Sequence, residues 1–123
     1  MRFDALVAKR GVAKNRSEVI RDLVRDALIR EEVELPGSEI MGTLTIVYDH
    51  HASDVQHTLH HIQHEHLGIV VSATHVHLDE RNCLEAIILR GETTEVRAVA
   101  DMILGTKGVK NGGLISTTTG QML

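Results

Sequence analysis

The sequence has one cysteine, one proline, no tryptophan, and only one phenylalanine and one tyrosine in 123 residues. A single cysteine cannot form a disulfide within the chain, which suits a reducing compartment such as the cytoplasm. No apolar run approaches the ~18 residues of a membrane-spanning helix, and no signal-peptide pattern is present. The length predicts one domain or two small modules. Because aromatics are scarce, we expect an aliphatic core that gains further stability from association between chains.

The charge is distributed unevenly along the chain. Residues 1–30 carry eight Lys or Arg and four Asp or Glu, whereas residues 31–123 carry five basic and thirteen acidic residues. A basic N-terminal segment is compatible with nucleic-acid binding, and it is equally typical of solvated helix faces. Charge alone therefore leaves both interpretations open.

The first 35 residues read as a pair of helices. Gly11 is expected to end the first, and Asn15 with Glu18 has the form of a capping box that starts the second. Apolar residues then recur at helical spacing as far as Leu28, and Pro36-Gly37 ends the pattern. We therefore predict two units, a helix pair over residues 1–35 and a second domain over residues 39–123.

The second unit alternates between strand and helix patterns. Strands are predicted over 40–49, 69–78, 83–90 and 114–119, with helices over 52–66 and from Thr93 or Thr94, as N-cap, to Gly105. Turns are expected over 79–82 and at Asn111-Gly112-Gly113. The order is βαββαβ, so the fold class is α+β, with a ferredoxin-like domain after the helix pair.

All nine histidines lie between His50 and His77, and the only cysteine follows at Cys83. On the 52–66 helix, Val55, Leu59, Ile62 and His66 share one face. Four imidazoles, those of His57, His60, His61 and His64, point the opposite way. These imidazoles either form a polar solvent face or donate to a metal ion shared with a neighbouring subunit.

The predicted hairpin brings ligand-type side chains together. His75 and His77 share one face of their strand, and pairing of 77 with 83 places Cys83 and Glu85 on that same face. Two imidazoles and a thiol would then converge on one metal ion, with Glu85 beside them, and a fourth position would be left for water or another chain. Ligand type allows Zn, Ni or Cu. The alternative is two half-buried histidines beside a structural cysteine.

The sequence gives little support for an enzymatic function. The sequence has no Gly-rich phosphate loop, no H-E-x-x-H and no nucleophile elbow. A nucleophile pair of Cys83 and His77 would need a third, orienting group and a substrate cleft, and nothing in the sequence marks either. We expect a binding protein rather than an enzyme.

The run from Ser72 to His77, then Cys83-Leu84-Glu85, with His64 eleven residues before His75, resembles the nickel-responsive regulators, NikR. The sequence from Asn15 to Asp22 is similar to the second helix region of their ribbon-helix-helix module. The resemblance implies Ni(II) held in a plane by His75, His77 and Cys83 together with His64 of the partner subunit. It further implies a homotetramer, a dimer of dimers, in which ACT-like domains are flanked by DNA-binding modules that repress nickel-uptake genes.

The same resemblance implies roles in the helix pair. Glu18 and Asp22 would hold a second, weaker cation, although an acidic i, i+4 pair on a solvated helix explains them equally well. Contacts to DNA phosphates are assigned to Lys14, Arg16 and Arg21. A ribbon-helix-helix dimer reads the major groove with a β-ribbon, and its strand is missing before the first helix, so we expect impaired operator reading.

Two alternatives remain open from the sequence. One is a nickel store or chaperone that does not bind DNA, and the other is a zinc- or copper-responsive regulator on the same scaffold. The sequence assigns no role to the other histidines, which are His50, His51, His57, His60, His61 and His66.

Overall fold

The structure is a computed structural model that describes residues 2–9, 15–52 and 54–120. Its elements follow the chain as α1 (Arg2–Lys9), α2 (Arg16–Glu34), β1 (Glu39–Asp49), α3 (Val55–Glu65), β2 (Val70–His77), β3 (Asn82–Glu92), α4 (Thr93–Leu104) and β4 (Val109–Thr118). None of the helices in these ranges is long and apolar enough to cross a lipid bilayer.

The four strands form one antiparallel sheet in the order β2-β3-β1-β4. β1 and β3 are central, and β2 and β4 are the edges. Together with the element order, this arrangement confirms the predicted α+β class and the βαββαβ ferredoxin-like domain. Helices α3 and α4 pack on one face of the sheet, whose other face carries half-buried and exposed side chains.

The core lies between that sheet face and the two helices. Alternate residues of the central strands are buried, as the two-residue period of a strand requires. The contributing side chains are almost all aliphatic, as predicted, and Tyr48 is the one aromatic ring among them. They comprise Ile40, Leu44, Ile46 and Tyr48 of β1, Cys83, Ile87 and Leu89 of β3, Val55 and Leu59 of α3, and Val96, Val99, Ala100 and Ile103 of α4.

Helix α2 begins at the predicted cap. The side-chain oxygen of Asn15 accepts a hydrogen bond from the backbone N–H of Glu18 at 2.9 Å, which satisfies one of the free amides at the helix start. Near the other end of α2, Val33 is buried with the core of the sheet domain. The predicted end of α1 at Gly11 lies outside the described residues.

Helix α4 is capped differently from the prediction. We expected Thr93 or Thr94 as the N-cap, and this was wrong: the cap is Glu92, whose carboxylate accepts the backbone N–H groups of Thr94 and Glu95. The same carboxylate accepts the N–H of Gly37 at 2.6 Å, and the hydroxyl of Thr93 donates to the carbonyl of Ser38. The hydrogen bonds from Gly37 to Glu92 and from Thr93 to Ser38 join residues that are far apart in the sequence. They hold Glu92 at the start of the helix.

The predicted turn at Asn111-Gly112-Gly113 was also wrong, since these residues belong to β4 and pair with β1. Gly112 lies opposite Ile46, and a Cβ there would stand 2.6 Å from the carbonyl oxygen of Thr45. A glycine at this place serves the close approach of two strands rather than a turn.

Candidate metal centre

The hairpin of β2 and β3 has the predicted register. His77 lies opposite Cys83, and His75 lies opposite Glu85. Directly paired residues of an antiparallel ladder project to the same side of the sheet. Because Cys83 and Glu85 are buried, the two imidazoles approach the helix-covered face, although β2 itself is an exposed edge strand.

Cys83 is fully buried, and two imidazole nitrogens stand close to its sulfur. Nδ1 of His77 lies 3.4 Å from Sγ, and Nδ1 of His50 lies 3.7 Å from it. The sequence predicts no role for His50. His50 reaches the sulfur because it directly follows β1, whose register with β3 pairs Tyr48 with Cys83 and Asp49 with Asn82.

His75 is held by two buried partners, Tyr48 and Glu85. The hydroxyl of Tyr48 makes a short hydrogen bond to its Nε2, and its Nδ1 lies 3.6 Å from a carboxylate oxygen of Glu85. Burial raises the pKa of Tyr48, so this phenol keeps its proton at neutral pH. The other oxygen of Glu85 accepts from the amide of Gln63 at 2.7 Å, which ties helix α3 to the hairpin.

His64 lies on the exposed side of α3, as do the other three outward histidines, so the predicted division of that helix into two faces is confirmed. It lines an open cleft of about 630 Å³ between α3 and β2. In the described parts of the chain, no three ligand-type side chains are already assembled to hold a metal ion. The structure therefore brings His77, His75 and Cys83 to one corner of the sheet and leaves His64 facing outward.

The donor chemistry of this corner fits a thiophilic transition metal. A thiolate with imidazoles suits Ni²⁺, Cu²⁺ and Zn²⁺, whereas Mg²⁺ and Ca²⁺ prefer oxygen ligands. His77 and Cys83 are close enough to bind one ion together. His75 has to release either Tyr48 or Glu85 before it can join them. The assignment of the metal ligands therefore remains a prediction. The imidazole and thiol groups at this corner support it.

The residues predicted to act in the helix pair lie apart from this corner. Glu18 is half-buried, and one of its carboxylate oxygens accepts the Asn15 amide at 3.3 Å. Arg16 pairs with Asp4 at 3.3 Å and stacks over Phe3, while Arg21 is exposed. Their roles, and that of Asp22, stay predictions, and Lys14 lies outside the described residues.

Comparison with known proteins decides the family. Residues 41–117 match the family model described as the NikR C-terminal nickel-binding domain. The chain belongs to the NikR family. Ni²⁺ is the metal ion of this family's C-terminal domain, and residues 41–117 contain α3, β2, β3 and α4 together with most of β1 and β4.

Relatives in the NikR family extend the match beyond that domain. A protein of Nitratidesulfovibrio vulgaris is 52% identical over 99% of this chain and 87% of its own length. A protein of Pyrococcus horikoshii is 48% identical over 99% of this chain and 88% of its own length. Both carry the name "Putative nickel-responsive regulator".

A solved structure supports the fold independently. The uncharacterized protein TM1266 of Thermotoga maritima superposes with a TM-score of 0.57 at 12% identity, covering 64% of this NikR chain and 98% of that chain. At this identity the likeness concerns the fold alone.

Proposed function

We propose that this chain is a nickel-responsive transcriptional regulator that represses nickel-uptake genes when Ni²⁺ is bound. The ligands are His75, His77 and Cys83 of one subunit and His64 of the partner subunit. The observation that carries the proposal is the 3.4 Å approach of the His77 ring to the buried Cys83 sulfur at a strand register that also aligns His75. When bound there, Ni²⁺ supplies a fixed point to which side chains of two subunits are tied.

The position of His64 supports a site shared between chains. It projects from the outer side of α3, while the sulfur of Cys83 is enclosed by residues of its own chain. β2 is an edge strand, and Val71 and Val76 on it are 59% and 45% exposed. A second copy that covers this edge would bury these apolar side chains and bring its own α3 to the hairpin.

Helix α2 supports a second contact between chains. Ile20, Val24 and Leu28 recur every four residues, and each is more than half exposed. An apolar stripe on an exposed helix is typical of a surface covered by a partner. Pairing through α2 and through the sheet domain uses two different surfaces, which is what a dimer of dimers requires.

DNA is the proposed partner of the basic N-terminal segment. Arg16 and Arg21 lie on the first turns of α2, and Lys14 precedes it in the sequence. Such side chains bind phosphates and hold a protein on the duplex, whereas base contacts are needed to select a sequence. Nickel would act by fixing the relative placement of subunits, and thereby the spacing of these basic segments on DNA.

The experiment compares wild type, His64→Ala and His57→Ala by nickel titration and by gel shift against the DNA upstream of the protein's own gene. His57 is the matched control because it is an exposed histidine on the same helix. We expect His64→Ala to lose the coloured Ni(II)–thiolate species and the nickel-dependent shift, and His57→Ala to keep both. Normal nickel binding by His64→Ala would refute the shared site.

Mixing tests the sharing directly. Chains with His64→Ala and chains with Cys83→Ala each lack one ligand, and co-refolding them creates interfaces in which both ligands are intact. Recovery of a fraction of the planar nickel absorption is expected only if the two ligands come from different chains. Nickel binding with no specific DNA shift would favour the nickel-store alternative over the regulator.

A further inference from the structure

We propose that Glu92 and Arg97 are positioning residues for DNA binding, because they fix the end of α2 against the start of α4. Together with their partners Gly37 and Glu34 they form what we call the α2–α4 junction. The inference rests on the proposed function, in which nickel sets the spacing of the basic segments by fixing where the sheet domains lie. That spacing follows the sheet domains only if α2 cannot pivot on the sheet domain of its own chain.

The carboxylate of Glu92 binds two elements with separate oxygens. Its Oε1 accepts the backbone N–H of Gly37 at 2.6 Å, and its Oε2 accepts the N–H groups of Thr94 and Glu95 at 3.0 and 3.2 Å. Hydrogen bonds to an ionised carboxylate are shorter and stronger than those between neutral groups. An amide side chain has only one acceptor oxygen, so it cannot replace both oxygens of the carboxylate. One charged group therefore caps α4 and restrains the segment that follows α2.

An ion pair restrains the same two helices from the other side. Nη2 of Arg97, near the start of α4, donates to Oε1 of Glu34, the last residue of α2, at 2.8 Å. Both side chains are partly exposed, and an exposed ion pair contributes little to the free energy of unfolding. Its removal should therefore change how firmly α2 is held more than it changes the stability of the fold.

The end of α2 is already part of the sheet domain. Val33 is 6% exposed and belongs to the core, and Ile29 packs against that core one turn earlier. Only residues 35–38 connect α2 to β1, and within them Gly37 has a φ of +88°, a conformation that strains other residue types. A short connection with a buried anchor and two polar restraints leaves α2 one direction relative to the sheet.

The junction and the metal corner lie at opposite ends of β3. Cys83 is the second residue of this strand, Glu92 is its last, and α4 begins at the next residue. Nine residues of extended strand span about 30 Å. Substitutions at the junction can therefore change DNA binding without touching the proposed nickel ligands, which gives the test two independent readouts.

The first readout is hydrogen–deuterium exchange of the full chain over residues 31–38. Glu92→Gln should speed exchange at Gly37 by about 10-fold or more, because the N–H loses a charged acceptor. Arg97→Glu places two carboxylates side by side, and exchange over these residues should rise by about 3-fold. The charge-swapped double variant, Glu34→Arg with Arg97→Glu, should return the exchange towards that of wild type.

The second readout compares nickel affinity with DNA affinity in the same variants. Nickel affinity should stay within about twofold of wild type, since the ligands are untouched, whereas the nickel-dependent gain in DNA affinity should fall by about 5-fold or more. Glu95→Gln is the matched control. It removes the same charge from the first turn of α4, but its side chain lines the cleft between α3 and α4. We expect it to behave as wild type in both readouts.

Far-UV circular dichroism of each variant separates a loosened junction from loss of fold. Unchanged exchange at Gly37 in folded Glu92→Gln would overturn the proposal, as would a full nickel-dependent gain in a variant whose junction exchanges fast. An equal loss of nickel affinity and DNA affinity would also overturn it, since the effect would then run through the metal centre. If wild type itself shows no nickel-dependent gain, the proposed function fails, and the exchange of Gly37 still decides whether the junction is rigid.

Discussion

Nδ1 of His77 lies 3.4 Å from Sγ of Cys83, and the two residues face each other directly across the β2–β3 ladder. Cross-strand neighbours are held by backbone hydrogen bonds on both strands, so their separation is set by the register of the hairpin. A ligand pair built in this way needs no loop closure to form. It is the part of the candidate metal centre that a single chain already supplies.

Removing the sulfur tests this pair. Cys83→Ser should abolish the Ni(II)–thiolate absorption, because the hydroxyl is not a soft ligand at neutral pH. Burying a hydroxyl in place of the thiol should also lower the free energy of unfolding by about 1–3 kcal/mol. Absorption titration and urea unfolding measure the two effects. Persistence of the band would mean that sulfur is not a ligand, and Cys83→Ala separates the loss of sulfur from the burial of a polar group.

Glu85 is predicted to stabilise the fold as well as the site. It is 3% exposed and accepts the Gln63 amide, so Glu85→Ala leaves that half-buried amide without its partner. We expect a loss of about 1–3 kcal/mol in the free energy of unfolding. Glu65→Ala is the control, since Glu65 is exposed and pairs only loosely with His61, at 3.9 Å. Equal effects of the two substitutions would contradict the structural role of Glu85.

Two adjacent glycines make a matched pair on β4. A Cβ at Gly112 would meet the carbonyl oxygen of Thr45 at 2.6 Å and the Leu104 side chain at 2.8 Å, whereas a Cβ at Gly113 would meet nothing within 4 Å. Gly112→Ala should therefore destabilise by about 1–3 kcal/mol through overpacking, and Gly113→Ala should have little effect. Thermal and urea unfolding of both variants measure this. A destabilised Gly113→Ala with a neutral Gly112→Ala would contradict the β1–β4 register.

Glu92 should make the stability of the protein depend on pH, because its carboxylate links Gly37, which follows α2, to the first turn of α4. Hydrogen bonds from the backbone N–H groups of Gly37, Thr94 and Glu95 favour its carboxylate and hold its pKa below the ordinary value of 4.5. The stabilisation is therefore fully present above pH 4.5 and is lost as the pH falls through the lower, folded pKa. Glu92→Gln should be less stable than wild type at neutral pH, and the two unfolding free energies should converge in acid. A difference that does not change with pH would count against the charge of Glu92 as the cause.

Most of the fold was predictable from local sequence patterns. The cap at Asn15, the two faces of α3 and the pairing of His77 with Cys83 follow from helical and strand periods, which depend on neighbouring residues only. The wrong predictions came from tertiary contacts. Thr93 has a good capping side chain, but its hydroxyl bonds the carbonyl of Ser38, and Gly112 is needed for strand contact rather than for a turn.

The candidate site was predictable only in part, for the same reason. His75, His77 and Cys83 are close in sequence, so one hairpin register places them together. His50 is 33 residues from Cys83 and reaches it because β1 pairs with β3 and ends beside the hairpin turn. No local pattern carries that information. The proposed ligand His64 of the partner subunit depends on how two chains meet, which the periodicity of one chain does not encode.

The burial of Cys83 also bears on the lifetime of the protein. Oxidation of a cysteine to sulfenic acid, and cross-linking to another thiol, both require a sulfur that reagents can reach. The sulfur of Cys83 has no exposed surface, and it belongs to the only cysteine in the sequence. Two chains therefore cannot join through a disulfide, and an oxidant cannot reach the sulfur, until the side chains that cover Cys83 move aside. A metal ion needs the same movement to reach the sulfur, so access to metal and exposure to oxidation are linked.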